Sequence, residues 1–257
     1  MRLEKLDERQ KIQEEEYDFP YHYLLDFSET SLAQYREYPG GIFYAATLLK
    51  ILLIMREIQF DSVVDIGCGD GFFCRKLSVW FPDKRIVGID YSVQAVSLAR
   101  LLNRDRNIEF LVEDITASGF DRRFDVATSI SVLEHIQPPL VYSFVKGMHS
   151  LLASGGELVI SVPSTGLPVE KIPKHYQHFT EESLSEILSE FFEIVELNHI
   201  IRRFDFMTWL ITRLLDNRWF LLKQKELRNW LFRFYLSHRL PADASNSTML
   251  FAVCRKR

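Results

Sequence analysis

Nine residues, Val63-Val64-Asp65-Ile66-Gly67-Cys68-Gly69-Asp70-Gly71, constrain this chain more than any others. A β-branched run that ends in an acid reads as a buried strand. Glycine at every second position then sets a tight turn, and the amphipathic stretch behind it opens a helix. Glycines at such a turn let the backbone bend sharply and come closer to a ligand than any Cβ would allow. Strand, glycine turn and helix start form the ligand-binding corner of an open parallel sheet, so an α/β fold is expected.

The rest of the chain alternates as that fold requires. Strands are expected at 62–66, 85–90, 108–113, 124–130, 156–162, 192–199 and 247–255, and helices at 42–58, 71–80, 92–103, 138–152 and 180–190. Ser92 and Thr180 are the expected N-caps, and Gly155-Gly156 the turn before the fifth strand. The fold class is therefore α/β: a seven-stranded, mostly parallel Rossmann-like sheet with helices on both faces, its last strand antiparallel and a helical lid insertion before it. The expected domains are an N-terminal helical or cap segment over 1–55 and a main domain over 56–257, with the insertion at about 201–240. Residues 1–16, a run of charges, read as a solvated helix or a frayed tail.

The acids around the turn select its ligand. A dinucleotide lays its pyrophosphate on this helix N-terminus and wants G-x-G-x-x-G; here the sixth position is Phe72, and Asp70 stands where phosphates would come. An acid there repels a phosphate but suits a phosphate-free cation. S-adenosylmethionine, with a sulfonium and an ammonium, is such a ligand. The run resembles motif I of the class I, Rossmann-like S-adenosylmethionine-dependent methyltransferases. Three further features lie where that family implies them. Asp90, nineteen residues past Gly71 in Val87-Gly88-Ile89-Asp90-Tyr91, stands at ribose distance, where a carboxylate accepts from both hydroxyls. Val112-Glu113-Asp114-Ile115 supplies an acid for the adenine amino group. Phe124–Ile130, followed by Ser131-Val132-Leu133-Glu134-His135-Ile136, resembles the fourth motif, which lines the sulfonium and substrate side. The resemblance covers about 55–200 and the final strand. It implies S-adenosylmethionine as cofactor, with Asp65, Gly67, Cys68, Gly69, Gly71, Asp90, Tyr91, Asp114, Ile115 and Ser129 binding it, and makes 56–257 the methyltransferase domain.

Methyl transfer from a sulfonium is an in-line displacement in which alignment and desolvation do most of the work. A hydroxyl acceptor also needs a base, because it sheds its proton as the new bond forms. His135, and His175 and His178 in Lys174-His175-Tyr176-Gln177-His178-Phe179-Thr180, are the catalytic candidates, since imidazole titrates near neutrality. The same histidines could instead pack the pocket wall or orient the loop. A divalent metal held by Glu134, His135 and one of His175 or His178 is the lesser alternative, and no metal is the expectation: relatives that hold one around this motif place a glutamate three positions before Glu134, where this chain has Ser131, which leaves the set one ligand short.

Charge and cysteine usage narrow the partners. A net charge of -4 argues against a general nucleic-acid binder. Cys68, Cys74 and Cys254 have neither zinc nor disulfide spacing, which points to a reducing, cytoplasmic setting. No apolar leader region precedes residue 16, and the apolar stretch 42–55 is broken by Lys50 and too short to span a bilayer. Residues 201–240 hold nine Lys and Arg against three acids, while the first forty hold five against ten. Two readings of these opposed charges stand. They flank one pocket mouth and partly pair, or 201–240 is a lid gripping an anionic or lipid-linked substrate, with Trp209, Trp219, Phe220, Trp230 and Phe234 as its apolar face and peripheral membrane contact through the same segment. The expected reaction is transfer to a hydroxyl of a small-molecule or lipid- or saccharide-linked acceptor. An RNA or protein methyltransferase and a non-catalytic cofactor-binding relative are the alternatives. Ser129-Ile130-Ser131-Val132, in place of an Asn/Asp-Pro-Pro-Tyr motif, disfavours methylation of base amino groups.

Overall fold

A computed structural model of the chain describes residues 7–18, 20–34, 41–117, 120–166, 169–203, 205–215, 222–240 and 242–257. Contacts divide the chain into two compact units, one of Met1–Phe19, Phe60–Asn198 and Met249–Arg257, the other of Pro20–Gln59 and His199–Thr248.

The first unit begins with α1 (Glu8–Glu15) and is built on strands β3 (Ser62–Ile66), β4 (Arg85–Asp90), β5 (Ile108–Val112), β6 (Phe124–Ile130), β7 (Leu152–Pro163), most of β8 (Phe192–Arg202) and β9 (Ser247–Lys256). Helices α3 (Phe72–Trp80), α4 (Val93–Leu102), α5 (Val141–Leu151) and α6 (Glu181–Ser189) connect them. The seven strands lie in the order β5-β4-β3-β6-β7-β9-β8, with β9 antiparallel to β7. β3 is flanked by β4 and β6, so the direction of winding reverses beside it; an open sheet of this kind takes its ligands outside the carboxyl ends of the strands at that point.

Local chemistry explains these elements. β3 pairs on both sides and is buried, which suits its Val-Val-Asp-Ile run. Ser92 caps α4, its Oγ accepting from Ala95 N at 3.1 Å, and Thr180 and Ser183 form a reciprocal capping box on α6. The core is aliphatic, with Val64, Val87, Ala127, Leu158 and Ile160 buried along the strands beneath Val145, Met148 and Leu188 from the helices. Two details differ from the sequence expectation. The helix expected over 138–152 starts as a 3-10 turn at Pro138–Leu140 and becomes α-helical only at Val141. Gly155-Gly156 is not a connecting turn but an irregularity inside β7, which starts at Leu152 and shifts register against β6 between Phe124 and Val126.

The second unit contains a small antiparallel pair, β1 (Leu25–Phe27) and β2 (Leu32–Gln34), and three helices: α2 (Gly41–Met55), α7 (Phe206–Leu215) and α8 (Lys225–Arg239). α2 is almost wholly apolar and buries Ile42, Leu48, Leu49, Ile51, Leu52 and Met55. Asn229 and Arg228 of α8 bond the backbone of Leu32 in β2, the first accepting its N–H at 3.1 Å and the second donating to its carbonyl at 2.5 Å. Trp219 and Phe220 lie outside the described residues. Among the described residues, no helix is long and apolar enough to cross a membrane.

Candidate active site

A cavity opens where the winding reverses, with an empty volume of about 1010 Å³, mouth included. All its walls belong to the first unit. Ile66 and Gly67 end β3, Asp90 and Tyr91 end β4, Glu113–Thr116 follow β5, and Ser131, Val132 and His135–Gln137 follow β6. α1 and the turn after it supply Arg9, Gln10, Gln13 and Tyr17, and the segment after β7 supplies Lys174 and Tyr176.

The glycine turn spends its own donors. Gly67 N and Cys68 N both donate to the Ile89 carbonyl, at 2.8 and 3.0 Å; Gly71 N donates to Cys68 O, and Gly69 N to Asp90 Oδ2 at 2.9 Å. A phosphate cradle works through free backbone N–H groups, and these are engaged. Asp70 Oδ1 meanwhile accepts from Phe72 N at 3.2 Å, so the first turn of α3 is already served by a buried carboxylate. Gly67 and Gly71 have φ of 74° and 79°, the left-handed region in which glycine is unstrained. Space is short too. A Cβ on Gly67 would lie 2.5 Å from a Val132 methyl, and one on Gly71 would lie 2.7 Å from the Phe110 ring. The same ring lies 2.7 Å from where a Cβ on Gly88 would stand.

Asp90 is buried on the cavity wall. Its Oδ1 accepts from Ser92 N at 2.9 Å and its Oδ2 from Gly69 N, which leaves part of the carboxylate's four lone-pair positions for a ligand. Burial pushes its pKa up to about 6 despite those bonds. Asp65 lies beneath the turn: Thr128 Oγ1 donates to it at 2.8 Å and Cys74 Sγ at 3.5 Å, and burial raises its pKa from 3.8 to about 7. A carboxyl that is neutral when folded and ionised when unfolded takes up a proton on folding. Its contribution to stability is full below pH 3.8 and is lost as the pH rises to about 7. At 1.36 kcal/mol per unit, a rise of about three units bounds this at about 4 kcal/mol. Asp65→Asn is therefore expected to flatten the fall in urea midpoint between about pH 4 and pH 7; an unchanged slope would show that Asp65 is ionised in the folded protein throughout.

Three histidines meet on the opposite side. His135 lines the cavity, and its Nδ1 lies 3.1 Å from the Lys174 carbonyl. A carbonyl only accepts, so Nδ1 carries the hydrogen and Nε2 keeps its lone pair. Burial, helped by the Lys174 charge, lowers the His135 pKa to about 3, so the ring is neutral at pH 7. His175 is buried behind it, its ring edge-on to His135 with centroids 4.7 Å apart and its Nδ1 2.7 Å from His178 Nε2. Burial lowers its pKa to about 2, with the neighbouring histidines acting in the same direction. Glu134 is buried beside them, its pKa raised by burial to about 8, and its Oε2 has no hydrogen-bond partner among the described residues. Glu134, His135 and His175 each bring one ligand atom within 4.8 Å of the others and are, among the described residues, the group that could share a metal ion.

Of the residues expected at the cofactor, Gly67, Asp90, Tyr91, Asp114 and Ile115 line the cavity. Asp65, Cys68, Gly69, Gly71 and Ser129 do not line it; they form the floor that shapes it, with Ser129 fully buried in β6. Asp114 Oδ1 accepts from both Thr116 N and Thr116 Oγ1, which fixes the loop above the cavity. Of the catalytic candidates, His135 lines the cavity whereas His175 and His178 stand behind it. A helix within 1–16 was among the readings of the sequence, but its place on the cavity wall was not foreseen. That helix buries no residue and is held by polar ties: Asp7 accepts from Tyr176 and Gln137, Glu16 pairs with Lys174 at 2.5 Å, and Glu14 accepts from Ser92 at 2.8 Å. The capping box of Asp7 and Gln10 was the one readable signal.

Comparison with known proteins bears on this geometry. A family model described as a methyltransferase domain matches residues 32–211. Malonyl-[acyl-carrier protein] O-methyltransferase 1 of Ilyobacter polytropus is 28% identical over 119 residues, 46% of this chain and 43% of that protein. Ubiquinone biosynthesis O-methyltransferase of Stutzerimonas stutzeri is 29% identical over 119 residues, 45% of this chain and 47% of that protein. The match thus spans less than half the length of these curated relatives. Among solved structures, the N-methyltransferase NodS of Bradyrhizobium japonicum, in complex with S-adenosyl-L-homocysteine, superposes with a TM-score of 0.61 over 97% of this chain and 99% of that one. Their sequences are 18% identical, so the likeness is one of fold.

Proposed function

Since this chain belongs to the methyltransferase-domain family, we propose that it is an S-adenosylmethionine-dependent methyltransferase that methylates a hydroxyl oxygen, on a small-molecule or lipid- or saccharide-linked acceptor held in the cavity beside His135. When bound, the cofactor supplies an electrophilic methyl group on a sulfonium. The residues present fit it. Asp90 offers acceptor positions for a diol, Ile66, Ile89 and Ile115 supply apolar wall, and a turn whose donors are engaged suits a ligand without phosphate. Glu113 and Asp114 place further acidic groups at the same end.

The observation that carries hydroxyl over amine is His135. A neutral amine attacks unaided, whereas a hydroxyl needs an acceptor for its proton. His135 is a neutral imidazole on the cavity wall whose Nδ1–H is tied to a backbone carbonyl, which leaves Nε2 to take that proton. Val132, Ile136, Leu140 and Phe144 line the same side of the cavity, and such apolar walls help keep water from the reacting atoms. The curated relatives named as O-methyltransferases support the same choice.

Calorimetry tests the cofactor side. S-adenosylhomocysteine is expected to bind in the micromolar range and NAD not at all; NAD binding without S-adenosylhomocysteine would reverse the assignment. Asp90→Ala is expected to weaken S-adenosylhomocysteine binding by about 1–3 kcal/mol, the scale of a lost charge-assisted hydrogen-bond pair. Unchanged affinity would move the ribose elsewhere.

A further inference from the structure

Two helices of the second unit turn apolar side chains outward. In α7 the residues at the spacing i, i+3, i+4 and i+7 on the bare side are Phe206, Trp209, Leu210 and Arg213, while Thr208, Ile211 and Leu215 are buried on the other. Phe206 is 72% exposed and Trp209 42%; their rings stack at 5.9 Å, and the Arg213 guanidinium lies 5.6 Å from the indole centroid. α8 repeats the pattern. Leu227 and Trp230 are exposed, and Phe234 stacks on Trp230 at 5.9 Å, while Leu231, Phe232, Tyr235 and Leu236 face inward. Trp209 and Trp230 are the exposed tryptophans among the described residues.

Single exposed apolar residues need no explanation, but contiguous apolar faces mark contact surfaces. The charge around these faces identifies the contact. Between Arg202 and Arg233 the described residues carry seven Lys and Arg against Asp205 and Glu226, and Asp205 is tied to His238 at 2.6 Å. Tryptophan and phenylalanine on an apolar helix face, bordered by Arg and Lys, suit the boundary between acyl chains and headgroups, and the cations suit an anionic leaflet. At 10 and 15 residues these helices are too short to span a bilayer, so the contact is with its surface.

We propose that α7 and α8 dock the protein on an anionic membrane surface, with Phe206, Trp209, Leu210 and Trp230 entering the headgroup boundary and Arg213 and Arg233 meeting lipid phosphates. The docking rests on these helices alone and holds whatever acceptor the cavity takes.

Cosedimentation and tryptophan emission with vesicles of phosphatidylcholine, alone or mixed with phosphatidylglycerol, test it on the full chain. Expected are association with the phosphatidylglycerol vesicles, a blue-shifted emission, and several-fold weaker binding at about 1 M salt, where the screening length is about 3 Å. The combined variant Phe206→Ser, Trp209→Ser, Trp230→Ser is expected to lose at least about tenfold in vesicle affinity. Arg213→Glu with Arg233→Glu, which leaves the apolar packing in place, is expected to lose affinity as well, and an unaltered helical circular dichroism signal and thermal midpoint in both variants report an intact fold. Absence of association with anionic vesicles, equal affinity for neutral ones, or variants that bind like the parent would overturn the proposal. So would a dimer of the parent that the triple variant abolishes, since it would assign the faces to a second copy. Failure of S-adenosylhomocysteine to bind the parent would strike the cofactor reading and leave the docking standing.

Discussion

His135→Gln is expected to lower kcat by about 10²–10⁴-fold, the usual contribution of a positioned general base, with S-adenosylhomocysteine affinity nearly unchanged. The expectation rests on the ring's state. Its hydrogen is on Nδ1, fixed by the Lys174 carbonyl, which leaves Nε2 its lone pair; burial and the Lys174 charge, which lower its pKa to about 3, keep the ring unprotonated near neutrality but also weaken it as a base, so the loss is expected toward the lower end of that range. Single-turnover rates with the variant and its parent are the measurement. A kcat within a factor of about two of the parent's would remove the proton-acceptor role, and the hydroxyl assignment would lose its main support. Behind the ring, His175 stands edge-on and bonded to His178, an arrangement that holds His135 in place.

Gly147→Ala carries the second large effect, on stability and cofactor binding together. A Cβ at this position of α5 would lie 2.2 Å from the Ile115 carbonyl oxygen and 3.0 Å from its carbon. The obstacle is backbone, so neither rotamer change nor side-chain flexibility relieves it. Overpacking of this kind costs about 1–3 kcal/mol. Ile115 also lines the cavity, one residue past Asp114, so relief by shifting that loop deforms the cavity wall where we propose the cofactor binds. A lowered denaturation midpoint with weakened S-adenosylhomocysteine binding is expected; a midpoint equal to the parent's would mean that α5 and the loop separate freely.

The parts legible in the sequence are those in which one local pattern has one structural solution. The β-branched runs at 62–66, 85–90 and 124–130 are strands with those bounds, and Ser92 and Thr180 cap the helices they precede. Asp90 was legible because distance from the glycine turn alone places a second-strand acid at the cavity. Asp65 looked the same in sequence, yet its side chain turns to Thr128 on the neighbouring strand and Cys74 on α3, because alternation along a strand decides which way an acid points. The part α1 plays at the cavity was opaque for another reason. Its contribution lies in polar ties to residues more than 75 positions away, among them Glu14 with Ser92 and Asp7 with Gln137, and hydrophobic periodicity carries no trace of such pairs. His135, His175 and His178 were equivalent candidates until the fold set one ring on the cavity wall and the other two behind it.

Phe110 makes two glycines answer to one residue. Its ring stands 2.7 Å from where a Cβ on Gly71 would lie and 2.7 Å from where one on Gly88 would lie. Positions 71, 88 and 110 therefore cannot drift separately in a lineage: a side chain gained at either glycine is tolerated only where the ring has already shrunk, and a shrunken ring opens a void beneath the turn. Substitutions across the trio are bound to be non-additive. The glycine corner is sterically one unit, and its least conspicuous member is an aromatic on a neighbouring strand.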